Sequence, residues 1–205
     1  MKEEELLKKR LSELAEKAFS QNIYTYTHFL SEYEQSIYKE MQKELAFVDS
    51  HLEGGHEYYT RAFVVFGSED MFGYEGEIPL ACAKVSPLFD KYAENLSHRD
   101  YLGAMMNLGI ERHQTGDILV DGKTAYVFCF RHIGEFLEEN FTKVRHTQVK
   151  TEIIPWKEMG FLQKFMEKEG FVASMRLDAL ISMAFGISRK VSESLYKSQK
   201  VFLNG

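Results

Sequence analysis

The sequence predicts an α+β protein built in three parts. Three observations carry that prediction. Apolar residues repeat every three or four positions through the first helices. Strand and helix patterns alternate across residues 76–154, with an Asp-Gly hairpin signal among them. Two short amphipathic helices sit in a basic stretch near the end.

Length and charge bound the reading. At 205 residues the chain holds one to three modest domains, and its apolar and charged fractions are ordinary for a globular protein. It contains no apolar run of the ~18 residues a membrane span needs. Its start, MKEEELLKKRLSEL, is charged and helical, so it does not read as a secretory signal. Two cysteines, Cys82 and Cys129, are too few for a disulfide framework or a zinc site. Both lie in apolar stretches and read as reduced core thiols of a cytoplasmic protein.

The first part, residues 1–75, begins with two helices. Leu7, Leu11, Leu14 and Ala18 share one helical face, with Lys and Glu opposite. Ser31 and Glu34 form a capping box, and Tyr33, Ile37, Met41 and Leu45 then repeat every four residues. Two β-prone runs, near 46–52 and 60–67, flank Gly54-Gly55 and predict a hairpin with a loop longer than two residues.

The second part, residues 76–154, reads as βαββαβ. GEIPLACAKV is a strand and SHRDYLGAMMNLG a helix. GDILVDGKTAYVFCF holds two strands about Asp121-Gly122. RHIGEFLEENF is a helix whose Ile133, Phe136 and Leu137 point to a core, and KVRHTQVKTEII is the last strand. This is the ferredoxin-like arrangement that RNA-recognition motifs also use.

Residues 155–170 read as a linker with one helix. In residues 171–205, Leu177, Leu180, Ile181, Ala184 and Phe185 make a helix stopped by Gly186, and Ser188 caps a second helix. VFLNG then starts a strand. Here Arg176, Arg189, Lys190, Lys197 and Lys200 face only Asp178 and Glu193, a basic tail on a chain of net charge −6.

Two motifs mislead. His98-Arg99-Asp100 matches the start of a kinase catalytic loop, but the metal-binding Asn five residues on is Met105, and no glycine-rich loop or D-F-G follows. Ser97 and Asp100 form a capping pair instead, with Tyr101, Met105 and Leu108 on one face and Gly109 as the stop. HIGEF, 132–136, is similar to a nucleotide-binding H-I-G-H, but its fourth residue is Glu135. No zinc spacing, nucleophile elbow or paired catalytic carboxylate is evident. The expectation is no catalytic residue, no metal, no cofactor and no small-molecule substrate.

HRDYLGAMMNLGIERHQTGDILV resembles the signature segment of the YlmH-type bacterial RNA-binding proteins. RLDALISMAFGISRKVSESLYKSQKVFLNG resembles the RNA-binding domain named after ribosomal protein S4. With the Gly54-Gly55 segment and the helical start, the likeness covers nearly the whole chain. It implies an N-terminal α+β domain, an RNA-recognition-like middle domain and an S4-type tail. That tail looks incomplete, because S4-type domains continue past the Asn-Gly turn. The resemblance also implies association with ribosomal RNA and tRNA on the large ribosomal subunit, in rescue of stalled subunits. Older naming ties the family to cell division.

Within that resemblance, Arg176 and Arg189 match the contact pattern, with Lys190, Lys197 and Lys200 as supporting charges. Asp178 is expected to orient Arg176 or the helix start. Arg99, Arg112, Lys143 and Arg145 are candidates for a secondary RNA contact. The strand KTAYVFCF departs from the base-stacking signature of RNA-recognition motifs. Tyr126, Phe128 and Phe130 share one face, Ala125, Val127 and Cys129 the other, and parity alone does not say which is core. Two alternatives stand beside the adaptor reading. One is an RNA-modifying enzyme or its accessory, which would need a catalytic Asp in a defined loop or a cofactor pocket; Asp117 and Asp121 lie near turns, and the turn explains Asp121. The other is a protein-interaction module in cell division.

Overall fold

The computed structural model describes residues 3–156, 169–198 and 201. The chain divides into two compact units, residues 1–161 and 162–205.

The first unit is α+β and carries two sheets. Helix α1 (Glu3–Gln21) buries Leu7, Leu11, Leu14 and Ala18, the expected face. Helix α2 (Glu32–Met41) starts at Ser31, whose N–H donates to Glu34 Oε2 at 2.7 Å, while Ser31 Oγ accepts from the Glu34 N–H. The four-residue repeat holds for Ile37, Met41 and Leu45 but not for Tyr33, which is 51% exposed. Tyr38 is buried in its place, its hydroxyl 2.8 Å from Ser50 Oγ. A 3.6-residue helix drifts off a strict four-residue spacing, so a stripe read one turn too early misses by one position.

Strands β2 (Ser50–Glu53) and β3 (Phe63–Phe66) pair antiparallel across a nine-residue connection, as the long loop predicts. A third strand, β1 (Thr25–Tyr26), pairs on the other edge of β3. Two residues are too few for periodicity to announce it. A one-turn helix, α3 (Glu69–Phe72), follows.

The second sheet has the order β5-β6-β4-β8-β7 and is antiparallel throughout. Its members are β4 (Leu80–Pro87), β5 (Thr115–Asp121), β6 (Thr124–Phe130), β7 (Lys143–Val144) and β8 (Thr147–Ile154). Helices α4 (His98–Asn107) and α5 (Arg131–Asn140) supply the two crossovers. Apart from β7 this is the 2-3-1-4 order of a ferredoxin-like domain. The last strand differs from expectation by folding back as a β7–β8 hairpin. Its turn holds Arg145 in the left-handed region at φ 51°.

Asp121 pairs with Thr124, so the β5–β6 turn is Gly122-Lys123, with Gly122 at φ 57°. The glycine therefore takes the first loop position, as in a II′-type turn. At the start of α4 the Asp100 carboxylate accepts from Ser97 N–H (2.8 Å) and Oγ (2.7 Å). His-Arg-Asp is thus the first turn of a capped helix. In α5, Ile133 and Leu137 are buried but Phe136 is 38% exposed, and Gly134 lies flush on Ala81 of β4 instead.

The helix side of this sheet forms one core with Ala83, Val85, Tyr101, Ala125, Val127, Cys129 and Leu137. The opposite side forms a second core with Phe29, Phe63 and Val65 of the N-terminal part against Leu80, Cys82 and Phe128. The Ala125–Val127–Cys129 face of β6 is therefore core throughout, and the opposite face is buried at Phe128 and only partly so at Tyr126 and Phe130. Each fully buried aromatic ring contributes roughly 1.5–3 kcal/mol.

In the second unit α6 (Leu177–Phe185) ends at Gly186, φ 64°, and α7 (Arg189–Lys197) starts at Ser188, whose Oγ accepts from Val191 N–H. Ala179 and Ser192 are buried, and Ser192 Oγ donates to Asp178 O at 2.8 Å, joining the helices. Phe185, expected on the buried face, is 72% exposed. The expected linker helix and the VFLNG strand fall mainly on residues 157–168 and 202–205, outside the described residues.

Candidate nucleic-acid interface

Arg176 occupies the N-cap of α6 and Arg189 the first position of α7. Both are exposed. Arg176 Nε donates to Asp178 Oδ1 at 2.9 Å, which raises the guanidinium pKa and lowers that of the carboxyl. Asp178 thus orients Arg176, the first of the two roles expected of it. Lys190 is exposed in the first turn of α7, and Lys197 pairs with Glu193 at 2.9 Å one turn away. Lys200 lies outside the described residues. Arg176, Leu177, Asp178, Glu193, Tyr196 and Lys197 line a shallow groove of ≈ 390 Å³.

The four secondary candidates lie in the first unit and differ in situation. Arg99 is exposed in the first turn of α4, and Lys143 is exposed on β7. Arg145, exposed in the β7–β8 turn, lies 3.4 Å from Asp100 Oδ1. Arg112 is half-buried. Its Nη1 donates to Thr115 O, Thr115 Oγ1 and Gly116 O within 3.0 Å. Burial, and then the nearby Arg61 cation, push its pKa down to about 10.

Arg112 belongs to a polar clasp between the 54–62 connection and β5. A β-bulge at Gly116-Asp117 breaks the β5–β6 register. It presents the buried Asp117 carboxylate to the connection, where Thr60 N–H (2.6 Å), Thr60 Oγ1 (2.5 Å) and His56 Nε2 (3.1 Å) meet it. Burial alone would push that carboxyl up, but these hydrogen bonds hold it below its ordinary range. Arg61 Nη2 donates to Phe29 O at 2.9 Å and its Nε to Thr115 O at 3.2 Å. With the Arg61 N–H also 3.4 Å from Oδ2, Asp117 is committed to four donors and is not placed as a general acid or base.

Sequence reasoning passed over Arg61, His56 and Thr60. A charged residue heading an apolar run, as Arg61 heads AFVVF, was the available signal. Beside the clasp is a cleft of ≈ 510 Å³ lined by His28, Glu34, Arg61, Glu111, Arg112 and His113. The two arginines there are balanced by the two glutamates.

The clasp and the second core hide much of the aromatic strand. Gly55, at φ 87°, lies directly on the Phe128 ring, and His56 packs on the same ring at 4.9 Å between centroids. Phe130 packs on Phe29 and Phe63 at 4.9 and 5.4 Å. The face on which an RNA-recognition motif would stack bases is therefore occupied at Phe128 and Phe130 by the chain's own N-terminal part.

The fold defines an α+β protein whose ferredoxin-like domain is backed by its own N-terminal sheet. Residues 88–158 match the family model described as "Putative RNA-binding domain in YlmH". The "Ribosome-associated protein quality control protein P2" of Bacillus subtilis (strain 168) is 26% identical over 179 residues, 87% of this chain and 68% of that one. The solved "Cell division protein ylmH from Streptococcus pneumoniae" has a TM-score of 0.59 at 20% identity, covering 77% of this chain and 94% of that one, a likeness of fold. Each of these findings is a likeness to YlmH-type proteins.

Proposed function

We propose that this chain is a non-catalytic, ribosome-associated RNA-binding factor that contacts ribosomal RNA and tRNA on the large subunit during rescue of stalled ribosomes. The observation that carries the reading is the pairing of Arg176 and Arg189 at the starts of consecutive helices, where cationic forks and helix N-termini both favour phosphate. The name of the Bacillus relative and the RNA-binding description of residues 88–158 support the setting. Lys190, Lys197 and Lys200 add salt-sensitive attraction, and Arg99, Lys143 and Arg145 offer a secondary contact on the first unit.

The enzyme alternative asks for a catalytic Asp or a cofactor pocket, and the clasp counts against Asp117 as that Asp. The test is co-sedimentation of wild type and an Arg176→Ala/Arg189→Ala variant with purified large subunits across a salt series. Binding that weakens with salt and is lost in the variant supports the reading. Equal binding by both moves the contact to the first unit. Absence of wild-type binding at low salt would sink it.

A further inference from the structure

The N-terminal part does not cover the whole outer face of the ferredoxin-like sheet. Leu80, Cys82, Phe128 and Ile154 lie toward its covered end. Toward the other end the same face carries Lys84, Ser86, Tyr126 and Lys150, none of them fully buried. The register places them side by side. Lys84 is directly opposite Tyr126 on one neighbour and Glu152 on the other, and Ser86 is opposite Lys150. Directly opposed residues share a face within about 5 Å between Cβ atoms. Tyr126 also packs against the second core, which holds its ring in place.

The connection after β4 forms a rim at this end. Leu88 N–H donates to Gln148 O at 2.8 Å, carrying the ladder one step beyond Pro87. Lys123 Nζ reaches Asp90 O at 2.6 Å and ties the connection to the β5–β6 turn. Between these ties Phe89 is 59% and Tyr92 77% exposed, with Lys91 Nζ 5.7 Å from the Tyr92 ring centroid. Exposed rings at the end of a rigid sheet, one with a lysine beside it as Tyr92 has Lys91, are the makings of a stacking platform for single-stranded nucleic acid. The lysines have carboxylate neighbours, Lys150 with Glu152 at 3.0 Å and Lys123 with Asp90 at 3.6 Å. The Lys150–Glu152 pair is exposed and costs little to exchange for a phosphate, whereas Lys123, also held on Asp90 O, stays as the tie of the connection.

We propose that the open half of the sheet, Lys84, Tyr126 and Lys150 with the Phe89–Tyr92 rim, binds one or two unstacked nucleotides of a single-stranded RNA. The occupant is argued from the alternation of ring and cation. A duplex has no exposed ring face to offer Tyr126, whereas every unpaired base does. The inference rests on the RNA-binding reading and names a site on the domain that reading leaves undefined.

The test uses the full chain in the Arg176→Ala/Arg189→Ala background, so that binding reports the sheet. The probe is a fluorescein-labelled 12-nucleotide oligouridylate, read by anisotropy over a salt series. The expected result is low-salt binding weakened roughly tenfold by Tyr126→Leu, which keeps an apolar side chain on the core but removes the ring. Lys84→Glu/Lys150→Glu, on the partly exposed face, should weaken binding at least as much and flatten the salt slope by about 1.4, two single-strand phosphates at ~0.7 each. Circular dichroism checks that each variant folds, and the lysine variant keeps the test alive should Tyr126→Leu fail to. Unchanged affinity in the lysine variant overturns the proposal. So does absence of oligonucleotide binding in the background chain, which would leave the surface to a protein partner. Large-subunit co-sedimentation by otherwise wild-type chain with Lys84→Glu/Lys150→Glu separates the two readings. Retained co-sedimentation without oligonucleotide binding removes this site only, whereas no co-sedimentation by wild type removes the functional reading itself.

Discussion

Gly55 and Phe128 are in contact through backbone and ring: a Cβ built on Gly55 would fall 2.3 Å from Phe128 Cδ1. Seventy-three residues of sequence separate them, and their contact closes one end of a sheet face that a solitary RNA-recognition domain would leave open.

Gly55→Ala should therefore be among the most damaging small substitutions in the first unit. The residue would need φ 87° and would also push against a buried ring. A loss of about 2 kcal/mol or more is expected. Urea unfolding followed by tryptophan fluorescence measures it, since Trp156 packs on the same core. A loss below half that value would mean the connection relaxes away from the sheet.

Asp117→Asn tests the clasp. Oδ2 accepts from the Thr60 and Arg61 N–H groups, so the amide keeps its oxygen there and turns its NH₂ to the Thr60 hydroxyl, which must then accept instead of donate. The expected cost is ~2 kcal/mol, from replacing charge-assisted hydrogen bonds by neutral ones in a buried site. The same unfolding experiment reads it, and an unchanged midpoint would show the clasp is not needed to hold the connection.

Stability should also fall in acid, and the sign follows from Glu34. The His28 ring, its Nε2 3.6 Å from Glu34 Oε1, together with the hydrogen bonds from Ser31, holds that carboxyl at about 2, against an ordinary 4.5. A folded pKa below the unfolded one stabilises above the unfolded value and is lost as pH falls, here from about 4.5 through about 2. Asp117, also lowered, adds in the same direction. Glu34→Gln should flatten the acid limb of a stability–pH profile. A limb of unchanged slope would place the titration elsewhere.

Cys82 and Cys129 should resist thiol reagents in the folded protein. Burial pushes the Cys82 thiol up to about 12 and raises Cys129 further, so almost no thiolate exists at neutral pH. Both should react once the chain is unfolded in urea. Rapid modification of one equivalent in native buffer would show that the first unit opens locally.

Much of this architecture could be read from local pattern. The α1 stripe, the Ser31–Glu34 and Ser97–Asp100 caps, Gly109 and Gly186 as helix stops and the β5–β6 hairpin each depend on residues within one or two turns of each other. The tail cations were visible as a charge excess, and Asp178 as the partner of Arg176, because those residues are two apart. Tyr33 and Phe136 were misassigned because an apolar residue at the edge of a stripe carries no mark of which side it takes.

The sequence by itself determined the order and kind of most elements, since helix and strand periods, caps and turns are short-range consequences of side-chain geometry. Only the tertiary structure decided what covers each face. Tyr126, Phe128 and Phe130 have identical parity, yet Phe128 is under Gly55 and His56 while Tyr126 stays partly open. Asp117 became a structural acceptor because a bulge turned it toward Thr60, 57 residues away. Period-two alternation encodes which residues share a face. It holds no record of which distant segment will bury that face, because that choice is made by the summed burial of groups far apart in the chain.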